Sequence, residues 1–387
     1  MDLIAQVERL AGAEMLALRR RIHREPELAY EEHRTSALVA EVLEDIGLVV
    51  TTGIAGTGLV ATLSRGEGPT IGLRADMDAL PIHEHVEGRE HASCTPGVMH
   101  ACGHDGHTAM LLGAARVLAA DPDIRGTVHF IFQPAEECGG GARAMIEDGL
   151  LDRFPCQSVY AMHNWPGLEK GHIAVQPGPM MGSLDTFRIA VTGKGAHAAM
   201  PHLAKDPVVA GAQLVLALQT IASRTTDPAD SLVLTVTQCH AGEADNVIPE
   251  SLELRGTIRC YSGEVRRATH ARVREICAGL EAMTGCSASF ELNAGYPATI
   301  NAEAEAGIAA DAAQALLGAE KVARSFRPSM ASEDFSFLLE ACPGAYAWLG
   351  IGEDAAPLHN PAYDFADDVL TTGAAFWVTL VRRELGA

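Results

Sequence analysis

Short apolar runs alternate with segments of helical period along the first half of the chain. Helical spacing of apolar residues predicts helices over residues 2–23, 30–46, 109–120 and 142–148. Runs of apolar residues predict strands over residues 58–63, 70–76, 126–133 and 158–162. Because such runs suit strands that are covered on both faces, the alternation predicts an α/β fold with a mixed, helix-covered sheet.

The pattern changes near Gly182, where apolar and polar residues begin to alternate as in half-buried strands. This part predicts strands over residues 185–192, 231–238, 251–259 and 287–292, and helices over residues 207–223 and 264–284. The resulting order, β-α-β-β-α-β, is that of a ferredoxin-like α+β unit.

From Tyr296 the earlier alternation returns, with a strand over residues 346–350 and a closing helix over residues 370–385. The simplest interpretation is one domain, residues 1–182 and 296–387, that is interrupted by an inserted domain, residues 183–295.

Length and charge agree with two domains and exclude some partners. A chain of 387 residues is too long for one ordinary hydrophobic core. Twenty-nine basic residues against 50 acidic ones give a net charge of −21, which would repel nucleic acid and anionic membrane surfaces. We therefore expect no nucleic-acid partner and no membrane partner.

The N-terminus and the cysteines predict a cytoplasmic protein. Residues 1–27 read as an amphipathic helix without a signal peptide, and no apolar run approaches the length of about 20 residues that spans a bilayer. The nine cysteines are an odd number and include no Cys-x-x-Cys pair, so they do not indicate a disulfide framework. Most of them are expected to be small buried apolar residues in a reducing compartment.

The most informative chemical segment is Met-His-Ala-Cys-Gly-His-Asp-Gly-His-Thr, residues 99–108, just before the apolar helix predicted over residues 109–120. A thiol at Cys102 and an imidazole at His104 suit a borderline-soft divalent metal such as zinc or manganese. This pair alone supports a metal site about as well as it supports an ordinary loop.

Further candidates are Glu136 and Glu137 in a Pro- and Gly-containing loop, His163 near a strand end, and His359 in a turn near the C-terminus. Adjacent carboxylates can divide the work of a site, one binding metal and the other acting as a general base. Each residue also has a commoner role, because a lone histidine is usually hydrogen-bonded or exposed and paired glutamates are usually solvated. Their recurrence at strand ends, where sites collect in α/β folds, favours metal binding.

Six motifs in order give the chain a resemblance to a known family. They are Arg-Ile-His-Arg-Glu-Pro-Glu-Leu (residues 21–28), Leu-Arg-Ala-Asp-Met-Asp-Ala-Leu-Pro (73–81), His-Ala-Cys-Gly-His-Asp (100–105), Gln-Pro-Ala-Glu-Glu (133–137), Met-His-Asn-Trp-Pro (162–166) and Leu-His-Asn-Pro (358–361). Together they resemble the peptidase M20 family. The similarity is greatest to its amidohydrolase branch of hippurate hydrolases, N-acyl-amino-acid amidohydrolases and indole-acetyl-amino-acid hydrolases.

The resemblance implies a site for two divalent metal ions, with zinc or manganese expected first and nickel or cobalt also compatible with the ligands. It places the metal ligands at Cys102, His104, Glu137, His163 and His359, and the general base at Glu136. Other branches of the family have a His-x-Asp motif where this chain has Asp76-Met77-Asp78, so the first histidine ligand of that motif is missing. Asp78 is expected either to orient a ligand or to be a structural carboxylate, and His100 and His107 to be structural neighbours.

The resemblance also assigns roles to the inserted domain, as a lid and as the contact of a homodimer. It implies that His197 reaches the active site, in dimeric relatives often that of the other subunit, and that Asn246 and Arg259 bind substrate. Without the resemblance, His197 reads equally as a loop histidine with local hydrogen bonds, and Arg259 as a surface strand residue.

The function implied is hydrolysis of a small N-acyl amino acid to a carboxylate and a free amino acid. Alternatives are a dipeptidase, an N-acetyl-diaminopimelate deacetylase, or a non-catalytic metal-binding protein on the same scaffold. A cysteine hydrolase that uses Cys102 is a further alternative, but it does not explain Glu136, Glu137, His163 and His359.

Overall fold

The computed structural model describes residues 2–85 and 87–386 of the chain, and these residues divide into two compact units. The first unit comprises Met1–Met180, Ile300–Arg327 and Asp334–Ala387, and the second comprises Met181–Thr299 and Pro328–Glu333. The segment Pro328–Glu333 thus groups with the second unit, although it follows the predicted insertion along the chain.

Helices and strands follow one another along the chain as follows. The helices are α1 (Leu3–Val7), α2 (Ala13–Arg24), α3 (His33–Asp45), α4 (His104–Ala119), α5 (Gly141–Glu147), α6 (Leu150–Arg153), α7 (Pro207–Thr220), α8 (Gly263–Thr284), α9 (Glu303–Leu317), α10 (Phe335–Ala341) and α11 (Leu370–Leu385). The strands are β1 (Val49–Ile54), β2 (Gly58–Arg65), β3 (Thr70–Asp76), β4 (Gly126–Gln133), β5 (Ser158–Pro166), β6 (Ile173–Ala174), β7 (Gly178–Met181), β8 (Asp185–Thr192), β9 (Ala196–His197), β10 (Leu232–Ala241), β11 (Val247–Ile248), β12 (Ser251–Cys260), β13 (Ser287–Ala294), β14 (Thr299–Asn301), β15 (Val322–Ala323) and β16 (Gly344–Gly352).

The first unit is built on an eight-stranded sheet in the order β1-β2-β4-β3-β5-β16-β6-β15. Its centre is parallel, since β3 pairs in parallel with β4 and β5, and β16 pairs in parallel with β5. At one edge β1 pairs antiparallel with β2, and β2 pairs antiparallel with β4. The mixed α/β character predicted from the sequence is therefore confirmed.

The edge strand β1 was not among the predicted elements, for a physical reason. Its burial is low along most of its length, and Val49 is 73% exposed, so it lacks the apolar run that marks the central strands. Hydrogen bonds to β2, with Val50 opposite Ala61, hold it in the sheet.

Helix α4 begins at His104, five residues before the predicted start at residue 109. Gly103 precedes it with φ of 97°, a left-handed conformation that favours glycine. A Cβ atom there would lie 2.1 Å from Oδ1 of Asn164, so the turn also needs the missing side chain. His104 thus lies in the first turn of a rigid buried helix instead of in a loop.

The first turn of α4 is tied to helix α2 by buried charges. The Asp105 carboxylate lies 3.0 Å from Nε of Arg19 and 2.7 Å from Nδ1 of His23, and all three side chains are fully buried. Burial raises the pKa of Asp105, but the Arg19 guanidinium and His23 outweigh it and hold this pKa far below its usual range. These contacts therefore hold the N-terminal end of α4 against α2.

The second unit holds a four-stranded antiparallel sheet in the order β10-β12-β8-β13. Helices α7 and α8 pack on it through a separate apolar cluster that includes Ile189, Leu214 and Leu254. The four strands of this sheet and its two helices run β8-α7-β10-β12-α8-β13 along the chain, the order that the sequence pattern predicts, with the short strands β9 and β11 as additions. The roles of lid and dimerisation domain stay predictions.

One helical stretch, Pro207–Thr225, is 19 residues long with a mean hydropathy of 1.2, which is long and apolar enough to cross a membrane. This differs from the expectation that no apolar run approaches such a length. Only 28% of this apolar stretch is buried. Helix α7 carries exposed apolar residues such as Leu216 as well as buried ones. Core helices of soluble proteins pass the same test, so the finding is weak evidence for a membrane span.

Replacing Arg19 with Ala is expected to lower the free energy of unfolding of the first unit by about 3–5 kcal/mol, because Asp105 would be left as a buried, uncompensated charge. Chemical denaturation measures this loss. The matched control is Arg383→Ala, which breaks an exposed pair with Asp311 and should cost less than about 1 kcal/mol. Equal stabilities of the two variants would contradict the assignment of Arg19 as the anchor of α4.

Candidate metal centre

Three neighbouring strands of the large sheet bring polar residues to one edge. Because β4, β3 and β5 run in parallel, their carboxyl ends meet at the same side of the sheet. Asp78 follows β3, Glu136 and Glu137 follow β4, and His163 lies near the end of β5. This edge is therefore where the chain gathers its chemistry.

Cys102, His104 and His163 form a buried cluster at this edge. The Sγ atom of Cys102 lies 3.3 Å from Nε2 of His163. One ligand atom from each of the three residues lies within 4.8 Å of the others, and all three residues are buried. A thiol and two imidazoles at this spacing can bind one metal ion.

Glu137 and His359 extend the cluster on its solvent side. Oε1 of Glu137 lies 3.2 Å from Nε2 of His359 and 3.9 Å from Nε2 of His104. The backbone of His359 has φ of 62° and donates a hydrogen bond to the carbonyl of Ala101, which fixes the C-terminal turn beside Cys102. The structure thus brings together all five residues that the sequence predicts as metal ligands.

The hydrogen bonds of the two buried histidines leave one nitrogen of each ring directed to the cluster. Nδ1 of His104 donates to the carbonyl of Asp78 at 2.9 Å, and Nδ1 of His163 donates to the carbonyl of Asn164 at 2.6 Å. Nε2 of His104 is buried and has no hydrogen-bond partner among residues 2–85 and 87–386. A histidine whose other nitrogen is held by a backbone carbonyl in this way is oriented as metal-binding histidines usually are.

The residues therefore fit divalent metal ions. Sulfur, nitrogen and carboxylate oxygen donors converge in a buried site, and this donor set suits zinc, manganese, nickel or cobalt.

Asp78 contacts both the loop of Glu136 and Glu137 and the ring of His104. Its Oδ1 accepts a hydrogen bond from the backbone N–H of Glu136, and its Oδ2 accepts one from the backbone N–H of Glu137, both at 3.0 Å. Oδ1 also lies 3.2 Å from Nδ1 of His104. Of the two roles considered for Asp78, these contacts support the one in which it orients a ligand.

Glu136 lies beside the predicted ligands and faces a different partner from Glu137. Its side chain is buried, and Oε1 accepts a hydrogen bond from the backbone N–H of Asp334 at 3.3 Å. An oxygen of Glu136 lies within 4.8 Å of ligand atoms of His104 and Glu137. Ala135 before it has φ of 55°, and this left-handed residue turns the chain sharply at the end of β4.

The electrostatics of the cluster are dominated by burial and by its carboxylates. Burial lowers the pKa of His104, but the carboxylates of Asp76 and Asp78 raise it to about 10. Burial, together with Glu137 and Glu136, raises the pKa of the Cys102 thiol well above its usual range. A cation would have to stabilise the thiolate here, so Cys102 suits a metal ligand better than an independent nucleophile.

A row of buried residues behind the cluster was not predicted as part of the site. Nδ1 of His107 lies 2.6 Å from Oδ1 of Asp76, and the Arg74 guanidinium donates to Oδ2 of Asp76 at 2.7 Å. Asp76, His104 and His107 also approach within 4.8 Å, but both oxygens of Asp76 already have these partners. His107 was expected as a structural neighbour and Asp76 belongs to the motif before Asp78, but nothing in the sequence predicts that these two residues pair.

His100, close to Cys102 along the chain, lies outside the cluster. Its ring is buried 6.2 Å from that of His23, and neither ring nitrogen has a hydrogen-bond partner in the part of the chain that the structure describes. Burial lowers the pKa of His100 to about 4, so the ring is neutral near pH 7.

The other three predicted site residues lie in the second unit. The pairing of β9 with β11 places His197 opposite Val247, and the N–H of Ala198 donates to the carbonyl of Asn246. His197 and Asn246 are exposed, and Nδ1 of His197 accepts a hydrogen bond from the N–H of Ala199 at 3.0 Å. Arg259 is half-buried near the end of β12, where its guanidinium donates to the carbonyl of Met330 at 2.9 Å.

Comparison with known proteins shows extended similarity. Residues 72–383 match the model of peptidase family M20/M25/M40. The chain is 39% identical over 386 residues to a hippurate hydrolase of Campylobacter jejuni, with 100% of each chain covered. It is 38% identical over 374 residues to an N-acetyl-L-cysteine deacetylase of Bacillus subtilis, which covers 96% of this chain and 88% of that protein.

A solved structure extends the similarity to three dimensions. The YXEP protein of Bacillus subtilis, a dinuclear metal binding peptidase from the M20 family, superposes with a TM-score of 0.85 at 33% identity. The match covers 96% of this chain and 98% of that one.

Replacing Asp78 with Asn is expected to weaken metal binding about 10–100-fold, because an amide cannot accept all the hydrogen bonds that orient Glu136, Glu137 and His104. Competition with a chelator measures the affinity. The control is Asp148→Asn, which alters a carboxylate that accepts a backbone hydrogen bond from Ala55. Unchanged affinity in Asp78→Asn would show that this carboxylate does not orient the ligands.

Proposed function

The chain belongs to peptidase family M20/M25/M40, and from this premise we propose that it hydrolyses N-acyl amino acids to a carboxylate and a free amino acid. The family resemblance predicted from the sequence is confirmed, and with it the assignment as a hydrolase that acts on amide bonds. The observation that carries the proposal is the convergence of Cys102, Glu137 and three histidines beside a buried Glu136.

The substrate class rests on the similarity along the whole chain. A relative named hippurate hydrolase and another named N-acetyl-L-cysteine deacetylase both cover at least 96% of the chain. Both names refer to an amino acid whose nitrogen carries an acyl group. A small-molecule substrate of this kind is therefore the partner that we propose.

Cys102, His104, Glu137, His163 and His359 would hold two divalent metal ions, of which zinc or manganese are our first candidates and nickel or cobalt the next. When bound, the ions would polarise the amide carbonyl and lower the pKa of the attacking water. The similarity to a dinuclear metal binding peptidase supports the number of ions.

We propose Glu136 as the general base. Its carboxylate takes the proton from the attacking water and transfers it to the leaving amine nitrogen. The backbone N–H of Asp334 holds one oxygen of Glu136 in place. Because Glu136 is buried, little bulk water competes with the attacking water and the leaving nitrogen for its carboxylate.

The second unit would act as a lid and supply substrate-binding groups. Nδ1 of His197 accepts a hydrogen bond, so a neutral ring carries its proton on Nε2. This Nε2–H group can then donate a hydrogen bond to the oxyanion. Arg259 offers a planar grip for the α-carboxylate of the substrate, and Asn246 would add a hydrogen bond. A homodimer through this unit and a cytoplasmic location complete the proposal.

Peptide cleavage and deacetylation of N-acetyl-diaminopimelate would use the same chemistry. Assays of hippurate, N-acetyl amino acids and dipeptides with metal-reconstituted enzyme separate these functions. If the enzyme turned over none of these substrates, the alternative of a non-catalytic metal-binding protein would remain. A chelator should abolish activity and added metal should restore it, which would not occur if Cys102 were the nucleophile of a cysteine hydrolase.

Replacing Glu136 with Gln is expected to reduce kcat about 10²–10⁴-fold while metal content stays unchanged, because the amide cannot accept the proton of water. Kinetics and elemental analysis measure the two quantities. In contrast, Cys102→Ala should lower metal content, since it removes a ligand. Full activity of Glu136→Gln would contradict its role as general base.

Replacing Arg259 with Ala is expected to reduce kcat/KM for N-acyl amino acids about 10–100-fold, because a charged hydrogen bond to the carboxylate would be lost. The control is Arg255→Ala on the same strand, where the guanidinium is paired with Glu253. If Arg259→Ala and Arg255→Ala had the same kinetics as the wild type, Arg259 would not belong to the substrate site.

A further inference from the structure

A cluster of three aromatic side chains lies next to the candidate metal centre in the first unit. The rings of Trp165 and Trp348 are stacked, with centroids 4.0 Å apart and an angle of 6° between their planes. The ring of Phe326 lies 4.9 Å from that of Trp348. We name these three residues, Trp165, Trp348 and Phe326, the aromatic shelf.

The strand geometry directs the shelf to the same face as a predicted metal ligand. His163 and Trp165 are two residues apart on β5, so their side chains leave the same face about 6.6 Å apart along the strand. Their ring centroids are separated by 6.3 Å. Trp348 on β16 is the register partner of His163, and its side chain therefore also leaves on this face.

Burial differs within the shelf. Trp348 is 4% exposed and forms its base, whereas Trp165 and Phe326 are half-buried. Trp165 thus stacks one face on Trp348, stays partly exposed, and has its ring centroid 6.3 Å from that of His163. A large aromatic surface left partly open next to a reactive centre is a feature of ligand-binding sites.

We propose that the aromatic shelf binds a flat, apolar acyl group of the substrate and so makes the enzyme selective for aromatic over acetyl acyl groups. The inference rests on the function proposed above and specifies its substrate class. If the scissile carbonyl lies at the metal centre, an aryl ring joined to it can extend from His163 toward Trp165, whose ring centroid lies 6.3 Å from that of His163. An acetyl group is too short to reach Trp165, so it gains nothing from the shelf.

The shelf also has a purely structural role to be distinguished from substrate binding. Trp348 packs in the interior of the unit, and its removal would leave a cavity that destabilises the sheet. Trp165 is the better test position, because it is only half-buried and its loss should leave β16 in place.

The first experiment compares N-benzoyl and N-acetyl derivatives of one amino acid. In Trp165→Ala the ratio of kcat/KM for the benzoyl over the acetyl substrate should fall about tenfold, with the acetyl value nearly unchanged. Trp165→Phe should keep most of the ratio, because its ring can still stack. The control is Phe154→Ala, which removes a half-buried ring that packs on His129, near the start of β5.

The second experiment measures binding without turnover. Trp165, Trp348 and Trp377 are the three tryptophans of the chain, and Trp377 is buried in α11. In the Glu136→Gln background, N-benzoyl amino acid should quench tryptophan fluorescence and bind more tightly than its N-acetyl analogue. Adding Trp165→Ala should weaken benzoyl binding about tenfold and leave acetyl binding unchanged.

Two results would overturn the inference. One is an equal change of both substrates in Trp165→Ala, which would indicate general disturbance of the site, and the other is no change in either. If the wild-type enzyme turned over no N-acyl amino acid, the proposed function would instead be refuted. The ratio of benzoyl to acetyl binding affinity from the second experiment would still decide whether the shelf binds aromatic acyl groups.

Discussion

The hydrogen bonds accepted by Asp78 hold together parts of the chain that arrive separately at the sheet edge. Glu136 and Glu137 come from the loop after β4, and His104 comes from the first turn of α4. Because a single buried carboxylate contacts all three, a shift of Asp78 would redirect the proposed base and two of the proposed ligands together. The precision of a metal site depends on such supporting contacts as much as on the ligands themselves.

The same arrangement concentrates negative charge in a buried volume. Burial, together with Glu137, Glu136 and Asp76, raises the pKa of the Cys102 thiol. Burial lowers the pKa of His104, but Asp76, Asp78 and Glu137 outweigh it and raise that pKa. Behind the cluster, the Arg74 guanidinium forms ion pairs with Asp76 and Asp334 and so offsets part of this negative charge. Bound divalent cations would offset the charge on the other side, so metal binding and the stability of this edge are linked.

The sequence predicts the parts of this site that depend on local pattern. Apolar runs mark β3, β4 and β5, and the polar residues that follow them are recognisable as candidates because parallel strands end at one edge. Residues whose role depends on distant partners could not be found in this way. Arg19 reads as one more cation of an amphipathic helix until α4 brings Asp105 to it. Trp165 lies just beyond the strand predicted over residues 158–162, and nothing in the sequence indicates that β16 places Trp348 against its ring. The start of α4 was misplaced for a similar reason, because the contacts that hold Gly103 and His104 come from the ends of β3 and β5.

The backbone at Ala135 explains how two adjacent glutamates can have different tasks. In a regular strand, neighbouring side chains point to opposite faces and could not share one site. Here β4 has already ended at Gln133, the backbone turns at the left-handed Ala135, and both following N–H groups donate to Asp78. The carboxylates then separate, since Glu136 accepts from the N–H of Asp334 whereas Glu137 lies against His359. A base held by a backbone donor keeps its position without losing its capacity to take a proton, and a ligand beside two histidines is placed to share a cation with them. The proposed division of roles therefore rests on the path of the backbone, since the two side chains are chemically identical.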